Sequence, residues 1–171
     1  IRIQLLASGR PVHAPLGALG SIIFVATRTK LKAINTNQTT AIYLTEAGRE
    51  GVFVWTTGDF SAEITADTQE GIYIKANAVA STAGAWVRKF DGPEDLRWYG
   101  AIAGSGNAAA NSLALAAAIR SNADVRIPVA GTFEFNGPLT FTSLSSFTFA
   151  GMGIGTTLKC LTNTNGLVFT S

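Results

Sequence analysis

The sequence has almost none of the side chains that bind metals or act as nucleophiles. Its 171 residues include one cysteine, Cys160, and one histidine, His13. One cysteine allows no disulfide within the chain, and neither residue has the partners that a cysteine- or histidine-based zinc site requires. Cys160 lies in TTLKCL, which favours a small, buried, apolar role, and His13 is expected to be structural or exposed. We therefore predict no catalytic residue, no metal ligand and no cofactor in this chain.

Charge is also scarce. Asp, Glu, Lys and Arg make up 14% of the chain, whereas about 25% is usual for soluble domains. Hydrophobic residues make up 47%, mean hydropathy is +0.26, and the net charge is +2. Because Lys and Arg are few and scattered, nucleic-acid binding is not expected. The uncharged run Leu16–Ala26 is about half as long as the roughly 20 residues of a membrane-spanning helix, so membrane insertion is not expected either. So little charge instead predicts burial against partner proteins.

Residues 1–21 are predicted to be a connector. The chain begins with Ile1 rather than methionine, which suggests the middle of a longer polypeptide with a missing N-terminal region. Weak apolar alternation is broken at Gly9, Pro11 and Pro15, as in an extended segment that has no fold of its own.

Residues 22–90 indicate a small β-rich module. A short strand at Ile22–Ala26 and one or two helical turns within Thr27–Ile34 come first. Turn residues then separate four apolar runs, which are AIYL (Ala41–Leu44), VFVW (Val52–Trp55), GIYIK (Gly71–Lys75) and GAWVRKF (Gly84–Phe90). VFVW is apolar on both faces, which predicts a strand that is central or covered by another chain.

The stretch DGPED, residues 91–95, marks a boundary. Three carboxylates within five residues could suggest calcium, but the ligand spacing of a calcium loop is absent and Pro93 stiffens the segment. A solvated linker is the preferred interpretation.

Residues 96–171 combine one helix, uncharged as far as Ile119, with many short strands. LRWYGA is predicted to be a strand, GSGN a turn, and residues 111–121 a helix that is apolar on all sides. From Val125 onward, short Thr- and Phe-rich strands alternate with turns, which fits a sandwich, a barrel or a solenoid. GMGIG, at 151–155, resembles a phosphate-binding loop, but a strand rather than a helix follows it, so we interpret it as a tight turn.

At this point the chain resembles a known family. Residues 96–171 are similar to the start of the pectate-lyase-like right-handed parallel β-helix of bacteriophage tailspikes and some secreted polysaccharide-degrading enzymes. The matching elements, in order, are LRWYGA, GSGN, NSLALAAAI, VRIPVAGTFEF and AGMGIGTTLK. Residues 22–90 resemble the small β module that precedes this β-helix in phage tail fibre and tailspike proteins. The resemblance implies a helix that caps the first coils, which span residues 125–171, and a β-helix that is incomplete at the C-terminus.

The chain departs from the family at the start of the helix. The family usually carries Asp-Asp-Thr, where this chain has Ala110, Asn111 and Ser112. We expect Asn111 or Ser112 to cap the helix. The resemblance further implies that Leu115, Ala118 and Ile119 face the coil. Leu113, Ala116 and Ala117 should point elsewhere, against residues 22–90 or a neighbouring subunit.

Three functions are compatible with the sequence and with this resemblance. The first is a virion component, tail fibre or tailspike, that mounts a host-receptor-binding β-helix on the phage tail for adsorption. The second is a polysaccharide-degrading enzyme with its active site beyond Ser171, because Glu134 is the only carboxylate after Asp124 and glycoside hydrolysis needs two. The third is a bacterial adhesin built on a β-solenoid.

The first function is preferred, and the resemblance implies its partners. These are two further copies of the chain in a homotrimer, other tail or baseplate proteins on the N-terminal side, and bacterial surface polysaccharide on the missing C-terminal part. The expected location is the virion, after assembly in the bacterial cytoplasm.

Overall fold

The first part of the chain forms a mixed sheet with two short helices. The structure is a computed structural model that describes residues 22–120, 124–142 and 148–170, so the predicted connector and His13 lie outside the described residues. The elements, in chain order, are β1 (Ile23–Val25), α1 (Arg28–Lys32), β2 (Ala41–Leu44), β3 (Gly51–Thr57), α2 (Ser61–Ala66), β4 (Tyr73–Ile74) and β5 (Gly84–Lys89). The strand order is β1-β2-β3-β5-β4. β1 pairs with β2 in parallel and the other neighbours are antiparallel. We call residues 22–90 the small module.

The strand predictions for the small module are confirmed. AIYL, VFVW and GAWVRKF fall in β2, β3 and β5, and GIYIK contains the shorter β4. β3 is central in the sheet, which explains why its sequence is apolar on both faces. Helix α1 lies within the predicted turns, and the Thr27 hydroxyl caps it by accepting a bond from the Lys30 amide. Helix α2 was not predicted.

One cluster of buried side chains stabilises the small module. Its largest members, all without solvent exposure, are Leu31, Ile42, Leu44, Phe53, Ile74 and Trp86. Trp55 lies against this cluster with its ring edge-on to Trp86, at a centroid distance of 5.5 Å. Burying an apolar side chain of this size contributes about 1.5–3 kcal/mol.

The second part of the chain consists of parallel strands and one long helix. Its elements are β6 (Glu94–Asp95), a 3₁₀ helix (Leu96–Tyr99), α3 (Ala108–Arg120), β7 (Val125–Arg126), β8 (Gly131–Phe135), β9 (Leu139–Thr142), β10 (Phe149–Ala150), a second 3₁₀ helix (Gly153–Gly155), β11 (Thr156–Cys160) and β12 (Leu167–Thr170). The predicted turn at GMGIG leads directly into strand β11, as expected. No helix among the described residues has the length and apolar character needed to cross a membrane.

Each strand from β7 to β9 pairs with a strand that the chain forms later, when it passes the same place a second time. Val125 lies beside Phe149, Gly131 beside Thr156 and Leu139 beside Leu167, and each pair of strands is parallel. The chain thus makes two successive passes in which β7, β8 and β9 lie beside β10, β11 and β12, although a closed helix is not seen in the described residues. We call residues 94–170 the coil stack.

The predicted linker is shorter than the sequence suggested. Asp91, Gly92 and Pro93 are exposed, but Glu94 and Asp95 form strand β6, which pairs with β7, and each is only 7% exposed. The carboxylates are tolerated there because both have partners: Glu94 accepts the Tyr99 hydroxyl, and Asp95 accepts the Arg97 amide. Asp95 thereby caps a 3₁₀ helix where LRWY was predicted to be a strand, and that prediction is wrong.

The cap helix was predicted about one turn too late. α3 begins at Ala108, so Asn111 and Ser112 lie inside it and do not cap it. Of the predicted coil-facing residues, Leu115, Ala118 and Ile119 are all fully buried, as expected. Of the residues predicted to point elsewhere, Ala117 is buried in a cluster that includes Ile72 of the small module, whereas Ala116 is half-buried and Leu113 is 57% exposed.

Candidate functional site

The two carboxylates of the later strands are engaged locally. Glu134, on β8, accepts a bond of 3.0 Å from the Lys159 ammonium of the neighbouring strand β11. Asp124 accepts a bond of 3.0 Å from the Thr148 amide. Each carboxylate therefore joins one chain pass to the next, which is a structural role.

Cys160 is half-buried, rather than fully buried as the sequence suggested. Its sulfur lies 3.3 Å from the Thr162 hydroxyl. This hydrogen bonding lowers the pKa of the Cys160 thiol. The Thr162 hydroxyl also accepts the Gly137 amide at 2.9 Å, so the thiol belongs to a polar contact between two chain passes. Within the described residues, no cluster of three or more His, Cys, Asp or Glu could hold a metal ion.

A cleft of about 220 Å³ lies where the small module meets helix α3 and the first pass of the coil stack. Its lining combines acidic, aromatic and apolar side chains with one arginine: Glu63, Ala66, Asp67, Ile72, Tyr73, Glu94, Tyr99, Ala117 and Arg120. Boundaries between packed units are common places for ligand sites. This cleft is the first candidate functional site.

Most of the acid groups in the cleft already have partners. Asp67 accepts bonds from the Gly71, Ile72 and Tyr73 amides at 3.0, 2.7 and 2.9 Å. Glu94 accepts the Tyr99 hydroxyl. Asp67 thus holds the chain at the start of β4, and Glu94 holds the 3₁₀ helix on β6.

Three carboxylates and one arginine line the cleft. Burial and, after it, the nearby carboxylates of Glu63, Glu94 and Asp67 raise the pKa of Tyr73. Tyr73 is therefore neutral at physiological pH and can donate or accept hydrogen bonds. With Glu63 and Arg120 in the lining, the site can bind hydroxyl or amine groups of a small polar molecule, but it has no activated nucleophile.

A second, more open groove of about 510 Å³ lies on another side of the same boundary. It runs between the turn at Glu46–Arg49 and the segment Gly100–Ala103, with Arg97, Val129 and Phe133 completing the wall. Ile102 is 54% exposed beside it. An apolar wall with charged residues at its edge suits contact with another macromolecule more than catalysis.

Sequence reasoning missed both sites because each is built from segments far apart in the chain. The cleft joins residues from Glu63 to Arg120. One local signal was present: Asp67 stands four residues before Gly71, where a short acidic side chain commonly accepts backbone amides in a turn.

Comparisons with known proteins find likeness at the level of structure. No family model matches the chain, and no curated protein matches it. Among solved structures it is similar to WceF of Pantoea stewartii, described as a glycan biofilm modifying enzyme with a bacteriophage tailspike-like parallel beta-helix fold. The TM-score is 0.50 at 19% identity, over 89% of this chain. The chain spans only 23% of the length of that protein. At this identity the likeness bears on fold alone.

Proposed function

We propose that this chain is part of a tailspike-like protein in which the small module mounts the first coils of a right-handed parallel β-helix. The observation that carries this proposal is the set of three parallel strand pairings, each one chain pass apart. The tailspike-like fold of WceF, which the chain resembles over 89% of its length, adds support. Connections between parallel strands are right-handed in almost all proteins, hence the assigned hand.

The role that follows is adsorption of a phage to a bacterial surface. In this proposal the protein belongs to the virion tail and is assembled in the bacterial cytoplasm. The small module faces other tail or baseplate proteins, and later coils contact a surface polysaccharide. Support comes from the low charge of the chain, which favours burial against partner proteins.

Location is the property that tests this role. Antibodies against the chain should label the tails of phage particles from the strain that encodes it, as seen by immunogold electron microscopy. Particles without label, together with free protein in the culture medium, would contradict the virion assignment. A label on the bacterial surface alone would favour the adhesin.

A polysaccharide-modifying enzyme is the second candidate, because WceF is described as a glycan biofilm modifying enzyme. Here the catalytic groups would lie on coils after Ser171, and the chain itself should be inactive. Incubation with capsule or lipopolysaccharide of the host should leave the polymer length unchanged, as measured by size-exclusion chromatography. Reproducible release of oligosaccharides would show activity in residues 1–171, and Glu134→Gln would then test the strand carboxylate.

We also propose a homotrimer, with the solvent side of α3 near the axis. Leu113, on this side, is 57% exposed in the single chain, and a closed arrangement of three chains would cover it. Light scattering should give about three times the chain mass of 17.8 kDa. Leu113→Glu should lower that mass, whereas Met152→Glu, at a similarly exposed position off the helix, should not. A wild-type monomer refutes the trimer.

A further inference from the structure

Two buried arginines lie at the contact between the small module and the coil stack. Arg88, on β5, is 3% exposed, and its guanidinium lies between two aromatic rings, 4.5 Å from the centroids of Phe53 and Trp98. Its three donor groups bond to the carbonyls of Gly71, Glu50 and Arg49, at 2.6, 2.8 and 2.9 Å. One side chain thus connects the core of the small module to the 3₁₀ helix of the coil stack.

Arg49 binds the same part of the coil stack from the backbone side. It is 7% exposed, and its Nη1 donates to the Gln69 carbonyl at 2.7 Å and to the Trp98 carbonyl. Trp98 is consequently fixed twice, through its ring by Arg88 and through its carbonyl by Arg49. A planar guanidinium has several donors in fixed directions and can stack on rings, so it suits this double role better than lysine.

The packing around these arginines is close. A Cβ on Gly71 would lie 2.7 Å from the Tyr99 ring, and a Cβ on Gly100 would lie 2.3 Å from a guanidinium nitrogen of Arg49. Tyr99 in turn bonds to Glu94 of β6. A continuous chain of contacts therefore runs from Phe53 in the small module to the first strand of the coil stack.

Both arginines are buried charges beside this contact. Burial lowers the pKa of both Arg49 and Arg88 to about 10, so each carries a buried positive charge at neutral pH. Their hydrogen-bond acceptors in the described part of the chain are backbone carbonyls from several loops. Separation of the two units would remove the Arg49 bond to the Trp98 carbonyl and the Trp98 ring over Arg88, whereas the four other hydrogen bonds of the two arginines lie within the small module.

We infer that Arg49, Arg88 and Trp98 make the small module and the coil stack one cooperative unit with a fixed relative orientation. The small module then acts as the end cap that the first pass of a stacked-coil fold needs. The inference does not depend on which of the functions above is correct, since it concerns how the two units hold each other. Separation of the units without unfolding of either one is the alternative.

Calorimetry and amide hydrogen exchange on the full chain distinguish these possibilities. The wild type should unfold in a single transition. Amides of the small module, in β2 and β3, and of the coil stack, in β8 and β11, should share one slowest opening rate. Two separate transitions, or coil-stack amides that exchange at least tenfold faster than the module amides in the wild type, would overturn the inference.

Two tryptophan variants test whether the contacts of Trp98 couple the small module to the coil stack. Trp98→Ala should split the transition and raise exchange in β8 and β11 at least tenfold relative to β2 and β3. Trp55→Ala is the matched control, since Trp55 is also half-buried but packs against the module core; it should lower the temperature of the single transition without splitting it. If Trp98→Ala leaves the exchange pattern unchanged, the three residues do not couple the units. If that variant does not fold, Trp98→Phe, which keeps a ring over Arg88, should show the same change in a smaller degree.

Discussion

Asn111 is predicted to be the residue of helix α3 whose polar group matters most for stability. It is completely buried. Its side-chain oxygen accepts the Ile102 amide at 2.8 Å, and its nitrogen donates to the carbonyls of Ile102 and Glu134, at 3.0 and 2.8 Å. One side chain thus joins the helix, the segment before it and strand β8. Asn111→Ala removes all three bonds and leaves the backbone groups without that partner.

The cost can be worked out from these bonds. A hydrogen bond contributes about 0.5–1.5 kcal/mol net, and an unsatisfied buried group costs up to about 3 kcal/mol. Three bonds at the middle value give about 3 kcal/mol. Ile102 is more than half exposed, so water can replace part of its two bonds. We therefore expect a loss of about 2–3 kcal/mol, or a fall in Tm of roughly 4–12 °C for a chain of this size.

Urea denaturation followed by circular dichroism measures this loss. The matched control is Asn107→Ala, one turn earlier, where the half-buried side chain makes longer bonds of 3.3 and 3.5 Å; it should cost under about 1 kcal/mol. If Asn111→Ala costs no more than Asn107→Ala, the reasoning is refuted.

The pH dependence of the stability of Asn111→Asp provides a second test. The carboxylate keeps the bond from the Ile102 amide but faces two carbonyl oxygens, which raises its folded-state pKa above the unfolded value of about 3.9. Stability must then fall as pH rises from about 4 through the folded pKa. The variant should consequently differ less from the wild type at pH 4 than at pH 7.

The remaining predictions concern the core and the thiol. Leu115→Ala, at a position with no exposure, should lower the free energy of unfolding by about 2–5 kcal/mol. Leu113→Ala, on the exposed side of the helix, should change the free energy of unfolding of a single chain by less than about 0.5 kcal/mol. Urea denaturation measures both changes. Because hydrogen bonding to Thr162 lowers the pKa of Cys160, alkylation by iodoacetamide should reach half its maximal rate below the pH of about 8.5 found for free cysteine. Thr162→Val should move this midpoint upward, and an unchanged midpoint would contradict the assigned cause.

Local patterns predicted the elements that local chemistry determines. The runs AIYL and VFVW became strands β2 and β3 because β-branched and aromatic residues stand between turn residues in each. The tight turn at GMGIG was also predictable, since a strand follows it. The parallel pairing of Gly131 with Thr156 was not, because periodicity within one strand does not say which distant strand lies beside it.

Each wrong prediction has its own physical cause. Acidity around Glu94 and Asp95 suggested a solvated linker, yet the partners of these carboxylates, Tyr99 and Arg97, make burial possible. Asn111 was expected to cap a helix because such residues usually do. Its actual partner at Glu134 is 23 residues away, and a single sequence does not show that contact. Helix α2 was missed because its six residues have no side-chain cap.

Several of the few charged residues of the chain are buried in the folded structure. Five charged residues are buried in the part that the structure describes, namely Arg49, Asp67, Arg88, Glu94 and Asp95. All five lie at or next to the contact between the small module and the coil stack, where Arg88 is close enough for the charges of Asp67 and Asp95 to affect its pKa. Buried charges cost free energy unless they are paired or hydrogen-bonded, so they specify one arrangement of the two units more strictly than apolar contacts would. A chain with few charges that buries several of them at one contact has less charge left for its surface, which favours a protein that works packed against others.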